Sequence, residues 1–532
     1  MNSDTAFDYI IIGGGSSGCV LANRLSADPA ARVLLLEAGA AGRSPFIHMP
    51  AGISRVKDNP KTDWMFTTTP QPELHDRRIG VPRGRGLGGS SAINAMVYIR
   101  GQREDYDGWR DLGNPGWGYD DVLPYFIRSE GNSGAILDPG FHGLNGPLGV
   151  EDRVYTHPLS DLFVESGIAA GLDHNRDFNG ANQAGVGRYQ VTQKNARRST
   201  AAVAYLNPVM SRPNLTIETG ARVLKLLTSG SRVTGVSYRQ NRQIRQAIAA
   251  GRVILSAGAI QSPQILLLSG IGPADEVAAH GITPIADLKG VGKNLMDHLN
   301  LSVLAKTRDP ISLAGIGGGT KAIRALVQYL WNRTGPGATN GAEAGGFYAS
   351  PLSPTRPDIQ FHFVPLMLGI GMQDLNIHGV TIHACNLRPT DRGEVTLASA
   401  DPYAAPLIDN RFLQTDGNMA VMREGLASAR MILAARPLAS VLAGEYLPGD
   451  GITDKARLDD FIRANSETEY HPSGTCKMGP DEMAVVDSNL RVHGFENLSV
   501  VDASIMPRLT SGNTNAPCMM IAEKAAEVML KG

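Results

Sequence analysis

A short glycine-rich turn near the start of the chain constrains the fold more than any other feature. The stretch YIIIGGGSSG, residues 9–18, joins an uninterrupted apolar run to a helical pattern over residues 16–27. An apolar run without alternation is typical of a strand that is buried on both faces of a parallel sheet. A second such strand follows at residues 32–39, so the chain opens with a βαβ unit. We therefore predict a doubly wound α/β domain.

The glycines of this turn have the spacing of a dinucleotide-binding loop. Gly13 permits the tight turn, Gly15 lets the backbone approach a pyrophosphate, and Gly18 lets the helix pack closely on the strand. The helix N-terminus presents free N–H groups and its positive dipole end to that pyrophosphate. Glu37 ends the second strand, where a carboxylate accepts hydrogen bonds from an adenosine ribose. The turn alone does not distinguish binding of FAD from binding of NAD.

Later segments of the chain either repeat the continuous apolar run of a buried strand or alternate in polarity. Residues 251–258 and 497–504 read as further buried strands, each followed by a helical pattern. The doubly wound sheet is therefore expected to come from three separated segments of the chain. Residues 214–243 and 355–400 alternate in polarity and predict antiparallel strands, and residues 319–335 predict an amphipathic helix. We expect the nucleotide domain to be interrupted by a second domain.

Composition and charge exclude several classes of protein. The chain has 532 residues, 42% of them hydrophobic, and a formal net charge of −1, which does not indicate a nucleic-acid surface. Four dispersed cysteines without a CxxC pair favour a reduced, cytoplasmic setting over a disulfide framework. The first residues do not read as a signal peptide, and no run of 18 apolar residues predicts a membrane span. No cluster has the spacing of metal ligands.

Two glycine-containing segments identify a family. They are GRGLGGSSAINAMVYIRGQREDYD at residues 84–107 and GAIQSPQILLLSGIG at residues 258–272. A loop so rich in glycine is entropically costly to order unless something flat or phosphorylated lies against it. Both segments resemble the signature motifs of the glucose–methanol–choline (GMC) oxidoreductases, which are FAD-dependent enzymes that oxidise alcohols. Residues 290–298, 471–479 and 500–526 resemble further motifs of that family in the same order.

The resemblance covers the whole chain and is weakest over residues 300–460. It implies a Rossmann-like FAD-binding domain assembled from separated segments and an α+β substrate-binding domain with an antiparallel sheet. The expected FAD-binding domain comprises residues 1–155, 201–298 and 461–532, and the expected substrate-binding domain comprises residues 156–200 and 299–460.

The resemblance also implies how FAD is held. Matched position by position, the cofactor contacts are expected at Gly13, Gly15, Gly18, Glu37, Val81, Gly88, Ser91, Asn94, Ala95, Met96, Val97, Val223, Asp502, Ala503, Asn513, Thr514 and Asn515. Some members attach their flavin through a histidine in the first signature. That position is Ala92 here, and no histidine lies between His75 and His142, so noncovalent FAD is expected.

The catalytic pair implied by the resemblance is His471 and Asn513. In the family, the histidine of the HPxGT segment faces the flavin N5 across the substrate pocket. An imidazole whose pKa lies near working pH is suited to removing the hydroxyl proton while hydride leaves for N5. Pro472 is expected to hold Tyr470 and His471 in extended geometry. The other histidines, including His298, are expected to be structural.

The activity implied is oxidation of a primary alcohol to an aldehyde, with electrons passed to a quinone or another acceptor. The resemblance is nearest to bacterial primary alcohol, choline and sorbose dehydrogenases. An oxidase that uses O₂ and releases H₂O₂ stays open, as do a non-redox lyase and a light-driven fatty acid decarboxylase. An uncharged aliphatic or benzylic alcohol is favoured over choline, for which Glu343 is the candidate carboxylate. Peripheral contact with the inner face of a membrane is also left open.

Overall fold

Two large β-sheets organise the chain in the computed structural model, which describes residues 6–316 and 318–531. The strands of the main sheet lie in the order Leu215–Thr219, Val33–Glu37, Ala6–Ile12, Gln243–Leu255, Arg232–Gln240 and Arg222–Ser229. A short strand, Leu498–Val500, pairs in parallel with the end of Gln243–Leu255. The three separated segments predicted from buried apolar runs therefore meet in one sheet, and the predicted α/β fold class is confirmed.

The glycine turn lies at the carboxyl end of the central strand, Ala6–Ile12. Gly13 has a φ of +104°, a conformation that favours glycine. A Cβ atom on Gly18 would lie 1.9 Å from the carbonyl oxygen of Gly13, so only glycine permits this approach of helix Ser16–Leu25 to the strand end. The sequence interpretation of these glycines thus agrees with the observed packing.

One predicted pairing is wrong. Leu215–Thr219 was expected to begin an antiparallel meander, but it pairs in parallel with Val33–Glu37 at the far edge of the main sheet. Asn214 explains the placement, because its side-chain amide donates to the carbonyl oxygens of Ser26, Asp28 and Ala31 at 2.8–3.1 Å. These contacts anchor the strand beside the loop that precedes Val33–Glu37. The strands Arg222–Ser229 and Arg232–Gln240 do form the predicted antiparallel pair, and the second of them also pairs antiparallel with Gln243–Leu255.

The second sheet is antiparallel. Its strands lie in the order Leu442–Leu447, Leu299–Thr307, Gly379–Asn386, Ile359–Val364, Ala344–Tyr348 and Gly185–Arg188. Glu467–Thr468 pairs with the start of Leu299–Thr307, although the sequence assigned residues 461–532 to the other domain. The exact domain boundaries stay a prediction.

The longer helices cover both sheets. They are Ser16–Leu25, Arg103–Asp111, Tyr119–Ser129, Pro158–Ala169, Gly258–Leu268, Gly319–Asn332, Asp416–Ala434, Lys455–Asn465 and Asn515–Lys531. Within the described part of the chain, none of the helices combines the length and the apolarity that a membrane crossing requires.

The last helix docks on the first. The Arg24 guanidinium donates two hydrogen bonds, at 2.9 and 2.7 Å, to the fully buried carboxylate of Glu523. At the other end of the interface, the Ser16 hydroxyl donates to the side-chain oxygen of Asn515 at 2.8 Å. The N-termini of the two helices therefore lie side by side, which brings the C-terminal segment to the glycine turn.

Candidate active site

A cavity of about 940 Å³ opens where the two sheets meet, a volume in the range of small-molecule and cofactor sites. Its walls include Ile12, Glu37 and Ser256, at or just beyond the carboxyl ends of main-sheet strands. They also include Asn300 and His362 from the second sheet. The position matches the general rule that open α/β sheets bind ligands beyond the carboxyl ends of their strands.

Most of the predicted contact residues line this one cavity, although they come from distant parts of the sequence. Those on its wall are Gly13, Gly15, Glu37, Asn94, Ala95, Met96, Val97, Val223, His471, Asp502, Ala503, Asn513, Thr514 and Asn515.

Gly18, Val81, Gly88 and Ser91 instead lie behind the wall. Gly18 packs on the glycine turn, and Val81 is fully buried in a small two-stranded ladder. The Ser91 hydroxyl donates to the Gly88 carbonyl oxygen at 2.5 Å and accepts the N–H of Ala201 at 3.0 Å. These residues support the turn and the loop behind the wall, and their expected contacts with FAD stay a prediction.

Glu37 joins the glycine turn to the first signature segment. Its carboxylate accepts the backbone N–H groups of Gly39 and Gly86 on one oxygen, at 2.7 and 3.0 Å, and that of Gly14 on the other, at 2.9 Å. Burial raises the pKa of this carboxyl, and the three N–H groups oppose that rise. The oxygen that accepts from Gly14 alone has capacity for one more donor, as a ribose hydroxyl would supply.

The residues present fit FAD. Gly13 and Gly15 precede one helix N-terminus on the cavity wall, and Asn513 and Thr514 precede another, which provides N–H groups for a pyrophosphate and for a flavin. Asn515 lines the cavity, and its side-chain nitrogen is buried and has no hydrogen-bond partner in the protein. A buried donor without a partner is costly, so a bound group that accepts this hydrogen bond explains it.

His471 projects from a segment held by the second sheet. Its backbone N–H donates to the Asp297 carboxylate at 2.7 Å, and its side chain is largely buried, with 8% of the residue exposed. Its Nε2 atom lies 3.2 Å from the Asn513 side-chain nitrogen, and the Asn513 oxygen accepts a hydrogen bond from Gln360 at 3.2 Å. The two predicted catalytic residues are therefore in contact on the cavity wall.

His298, which the sequence interpretation treated as an ordinary structural histidine, contacts the ring of His471. The Nδ1 atoms of the two rings are 2.9 Å apart, and the His298 Nε2 lies 3.0 Å from the carbonyl oxygen of Leu387. A carbonyl only accepts, so Nε2 of His298 carries the hydrogen and its Nδ1 accepts from Nδ1 of His471. The amide N–H₂ of Asn513 is a donor, so Nε2 of His471 carries a lone pair and accepts this hydrogen bond at 3.2 Å.

Both rings are neutral. Burial lowers the pKa of His298 to about 4 and lowers the pKa of His471 well below its ordinary value, with the neighbouring His298, His362 and Arg83 acting in the same direction. The sequence-based expectation of a pKa near working pH is therefore wrong for the cavity without substrate. His471 is nevertheless held in the form that can accept a proton.

The expected backbone geometry is wrong for Tyr470. Its φ is 69°, in the left-handed region, because Pro472 restricts only the residue directly before it, His471. The turn is fixed by other contacts: the Tyr470 N–H donates to the Thr468 hydroxyl at 2.8 Å, and the Arg83 guanidinium donates to the Tyr470 carbonyl at 2.5 Å.

Glu343, the carboxylate suggested for a cationic substrate, is a structural residue. It is fully buried, does not line the cavity and accepts hydrogen bonds from the His157 N–H and from the Ser160 and Thr339 hydroxyls at 2.6–2.7 Å. The carboxylate that does line the cavity beside His471 is Glu469, which the sequence interpretation missed. Its position two residues before His471 was the available signal.

Two more cavity residues, His362 and His383, were also missed. They occupy directly paired positions on the neighbouring strands Ile359–Val364 and Gly379–Asn386. A histidine within an apolar strand was the signal, but it becomes informative only once the strand pairing is known. Among the described residues, no group of three or more His, Cys, Asp or Glu is arranged to hold a metal ion.

Family models described as GMC oxidoreductase match residues 7–300 and 389–522 of the chain. An alcohol dehydrogenase [acceptor] of Pseudomonas putida is 45% identical over 99% of this chain and 96% of that protein. Mitochondrial choline dehydrogenase of Homo sapiens is 42% identical over 98% of this chain and 89% of that protein. The crystal structure of pyridoxine 4-oxidase from Mesorbium loti superposes with a TM-score of 0.89 at 34% identity, covering 99% of each chain.

Proposed function

The chain belongs to the GMC oxidoreductase family, and we propose that it oxidises a primary alcohol to the aldehyde with His471 as the base. Membership of the family and its relatives establish an FAD-dependent oxidoreductase that acts on CH–OH groups. The residues that perform the reaction, the form in which FAD is held and the electron acceptor are part of the proposal.

The observation that carries the proposal is the 3.2 Å pair formed by Nε2 of His471 and the side-chain nitrogen of Asn513. One atom is an acceptor and the other a donor, and an alcohol hydroxyl is both. A bound hydroxyl takes the place of this direct contact, so that it donates its proton to Nε2 and accepts a hydrogen bond from the Asn513 amide. Bound FAD supplies the acceptor for the hydride that leaves the carbinol carbon. Loss of that proton to His471 and of that hydride converts the alcohol to the aldehyde.

Replacing His471 tests the proposal directly. In His471→Ala, the bound flavin is retained, and its anaerobic reduction by an alcohol slows by about 10²–10⁴-fold, the usual contribution of a general base. Stopped-flow absorbance of the flavin measures the rate. His174→Ala, at an exposed histidine outside the cavity, is the matched control and is expected to keep the wild-type rate. A wild-type rate in His471→Ala would remove this residue from the mechanism.

His298 is proposed as a positioning residue, because it contacts the ring of His471 and does not line the cavity. In His298→Ala, the Nδ1–H of His471 loses its acceptor, so either ring nitrogen can carry the hydrogen. We expect the limiting rate of flavin reduction to fall by about 10²-fold, as for a misplaced reacting group, with little change in the apparent Kd of the alcohol.

The conservative variant His298→Asn retains a side-chain oxygen that can accept the hydrogen bond, and it is expected to recover part of the lost rate. If His298 is purely structural, both variants should lose bound flavin and thermal stability together. The limiting rate per bound flavin should then be unchanged, which would contradict the positioning role.

We also propose that FAD is held noncovalently. Ala92, at the position where some family members carry the attachment histidine, is buried against Ile47, Val56 and Ile93 and has no nucleophilic atom. Acid precipitation of the holoenzyme is therefore expected to release the flavin completely into the supernatant. Yellow flavin that stays with the washed precipitate would contradict this assignment.

For the electron acceptor we propose a quinone reached from a membrane surface. The helix Gly319–Asn332 exposes Ile323, Val327, Leu330 and Trp331 on one face, with exposed fractions of 58–89%. Its opposite face is buried, and the exposed basic residues Lys321 and Arg324 flank the apolar face. An apolar helix face with adjacent cations is the pattern of helices that lie in an anionic membrane interface. Ala322 and Ala325 of the same helix line the cavity.

Vesicle binding and acceptor preference test this proposal together. The holoenzyme is expected to float with anionic phospholipid vesicles, and its turnover with a quinone in those vesicles is expected to exceed its turnover with O₂. Leu330→Ser combined with Trp331→Ser should lower the partition coefficient about tenfold or more, because two large apolar side chains are lost from the interface.

Ile244→Ser, at an exposed isoleucine on a main-sheet strand, is the matched control and should leave flotation unchanged. Turnover that is faster with O₂, accompanied by H₂O₂, would instead identify an oxidase.

A further inference from the structure

The cavity contains a second polar cluster that the proposed proton transfer does not use. It consists of Glu469, Asn300, His362 and His383, all on the same cavity wall as His471. The Asn300 side-chain amide donates to one Glu469 oxygen at 2.5 Å, and His362 Nδ1 lies 3.3 Å from the other oxygen. We call these four residues the polar subsite.

The polar subsite has hydrogen-bonding capacity that the protein leaves unused. Neither ring nitrogen of His362 makes a hydrogen bond in the protein, since the 3.3 Å contact with Glu469 lacks hydrogen-bond geometry. His383 uses Nδ1 with the Ser302 hydroxyl at 2.9 Å, but its buried Nε2 has no partner. Buried polar atoms are nearly always paired in native proteins, so these atoms indicate a ligand group that completes them.

The carboxyl of the subsite also lacks a cationic partner among the described residues. Within residues 6–316 and 318–531, the only basic group within ion-pair distance of Glu469 is His362, and burial lowers the pKa of that ring to about 3. Burial, together with the neighbouring Asp297 and Glu467, raises the pKa of Glu469 to about 8, while the hydrogen bond from Asn300 opposes the rise. A cation that donates hydrogen bonds to this carboxyl stabilises its ionised form and lowers its pKa again.

We propose that the polar subsite binds a protonated amine of the substrate, so that the preferred substrates are amino alcohols. The inference rests on the proposed function, because it places the amine at Glu469 and the hydroxyl at His471 of the same cavity. It replaces the sequence-based expectation of an uncharged alcohol.

The side chains of the subsite favour an amine with N–H bonds over a quaternary ammonium. A quaternary ammonium has no hydrogen to donate and is recognised chiefly by the faces of Trp, Tyr and Phe. The polar subsite contains none of these residues, and Phe361 and Phe363, on either side of His362 in its strand, point to the other face of the sheet. A carboxylate and neutral imidazole nitrogens accept hydrogen bonds, which an N–H cation supplies.

Two alcohols of equal shape and different charge provide the test. Dimethylaminopropanol is protonated at neutral pH and carries one N–H, whereas isohexanol is its uncharged carbon isostere. Anaerobic flavin reduction of the holoenzyme gives the limiting rate constant divided by the apparent Kd for each. We expect the amino alcohol to be preferred by about 10–100-fold, the value of one charge-assisted hydrogen bond. Choline, which lacks an N–H, is expected to fall below dimethylaminopropanol.

Glu469→Gln keeps the shape of the side chain and removes its charge. We expect it to abolish the preference, because the efficiency of flavin reduction by the amino alcohol falls toward that by isohexanol. Glu165→Gln, at an exposed glutamate outside the cavity, is the matched control and should keep the preference. The flavin spectrum and thermal unfolding of each variant establish that its fold and its cofactor are retained.

Equal efficiencies for the two alcohols in the wild-type enzyme, or a preference that survives in Glu469→Gln, would overturn the inference and leave alcohol oxidation intact. If no alcohol reduces the flavin in the wild-type enzyme, the proposed function fails, and the inference fails with it.

Discussion

The geometry of the site depends on the hydrogen bonds that join residues 297–298 to residues 468–471. The Asp297 carboxylate accepts from the Thr468 hydroxyl at 2.5 Å and from the His471 N–H at 2.7 Å. The next residue, His298, contacts the His471 ring and immediately precedes the strand Leu299–Thr307 in the second sheet. The imidazole is thereby fixed to the second sheet, while Asn513 reaches it from the loop directly before the last helix, Asn515–Lys531. The contact between the two side chains forms where these two parts of the chain meet.

Two buried carboxylates hold the other side of the cavity together. Glu37 ties three loop N–H groups to the end of its strand, and Asp502 accepts the Gly258 N–H at 2.8 Å and the Ser262 hydroxyl at 2.5 Å. Each carboxylate connects segments that are distant in sequence. Strand ends leave unpaired N–H groups, and an acceptor-only carboxylate can join several of them at one point. This explains how a sheet built from three segments presents one ordered edge to a cofactor.

The sequence predicts well those elements that depend on neighbouring residues, and it misses contacts between residues that are distant in the chain. The strands Ala6–Ile12 and Val33–Glu37 follow from their own apolar runs, and the glycine turn follows from its own spacing. The parallel pairing of Leu215–Thr219 depends on the side chain of Asn214 reaching a loop almost two hundred residues earlier. The tautomer of His298 is set by the carbonyl oxygen of Leu387, a residue far away in the sequence.

The same limit applies to the acidic residues of the second sheet. The sequence singled out Glu343 for a cation and gave no reason to choose Glu469. The two differ because the first carboxylate is saturated by donors from residues 157–160 and Thr339, whereas the second accepts from Asn300, and these tertiary contacts are not encoded in any local pattern.

The low pKa of His471 is compatible with its proposed role as a base, although a low pKa means that the free ring has a low affinity for a proton. Burial destabilises an isolated imidazolium, and Asp297 contacts only the backbone N–H of this residue, so the ring has no carboxylate to offset the charge. The same low dielectric strengthens the attraction between an imidazolium and an alkoxide formed beside it. Proton transfer is therefore unfavourable without an alcohol and becomes favourable when the alkoxide is created in contact with the ring. In the proposed mechanism, a buried histidine of fixed tautomer thus confines proton transfer to the time when a hydroxyl has replaced the direct hydrogen bond between Nε2 and Asn513.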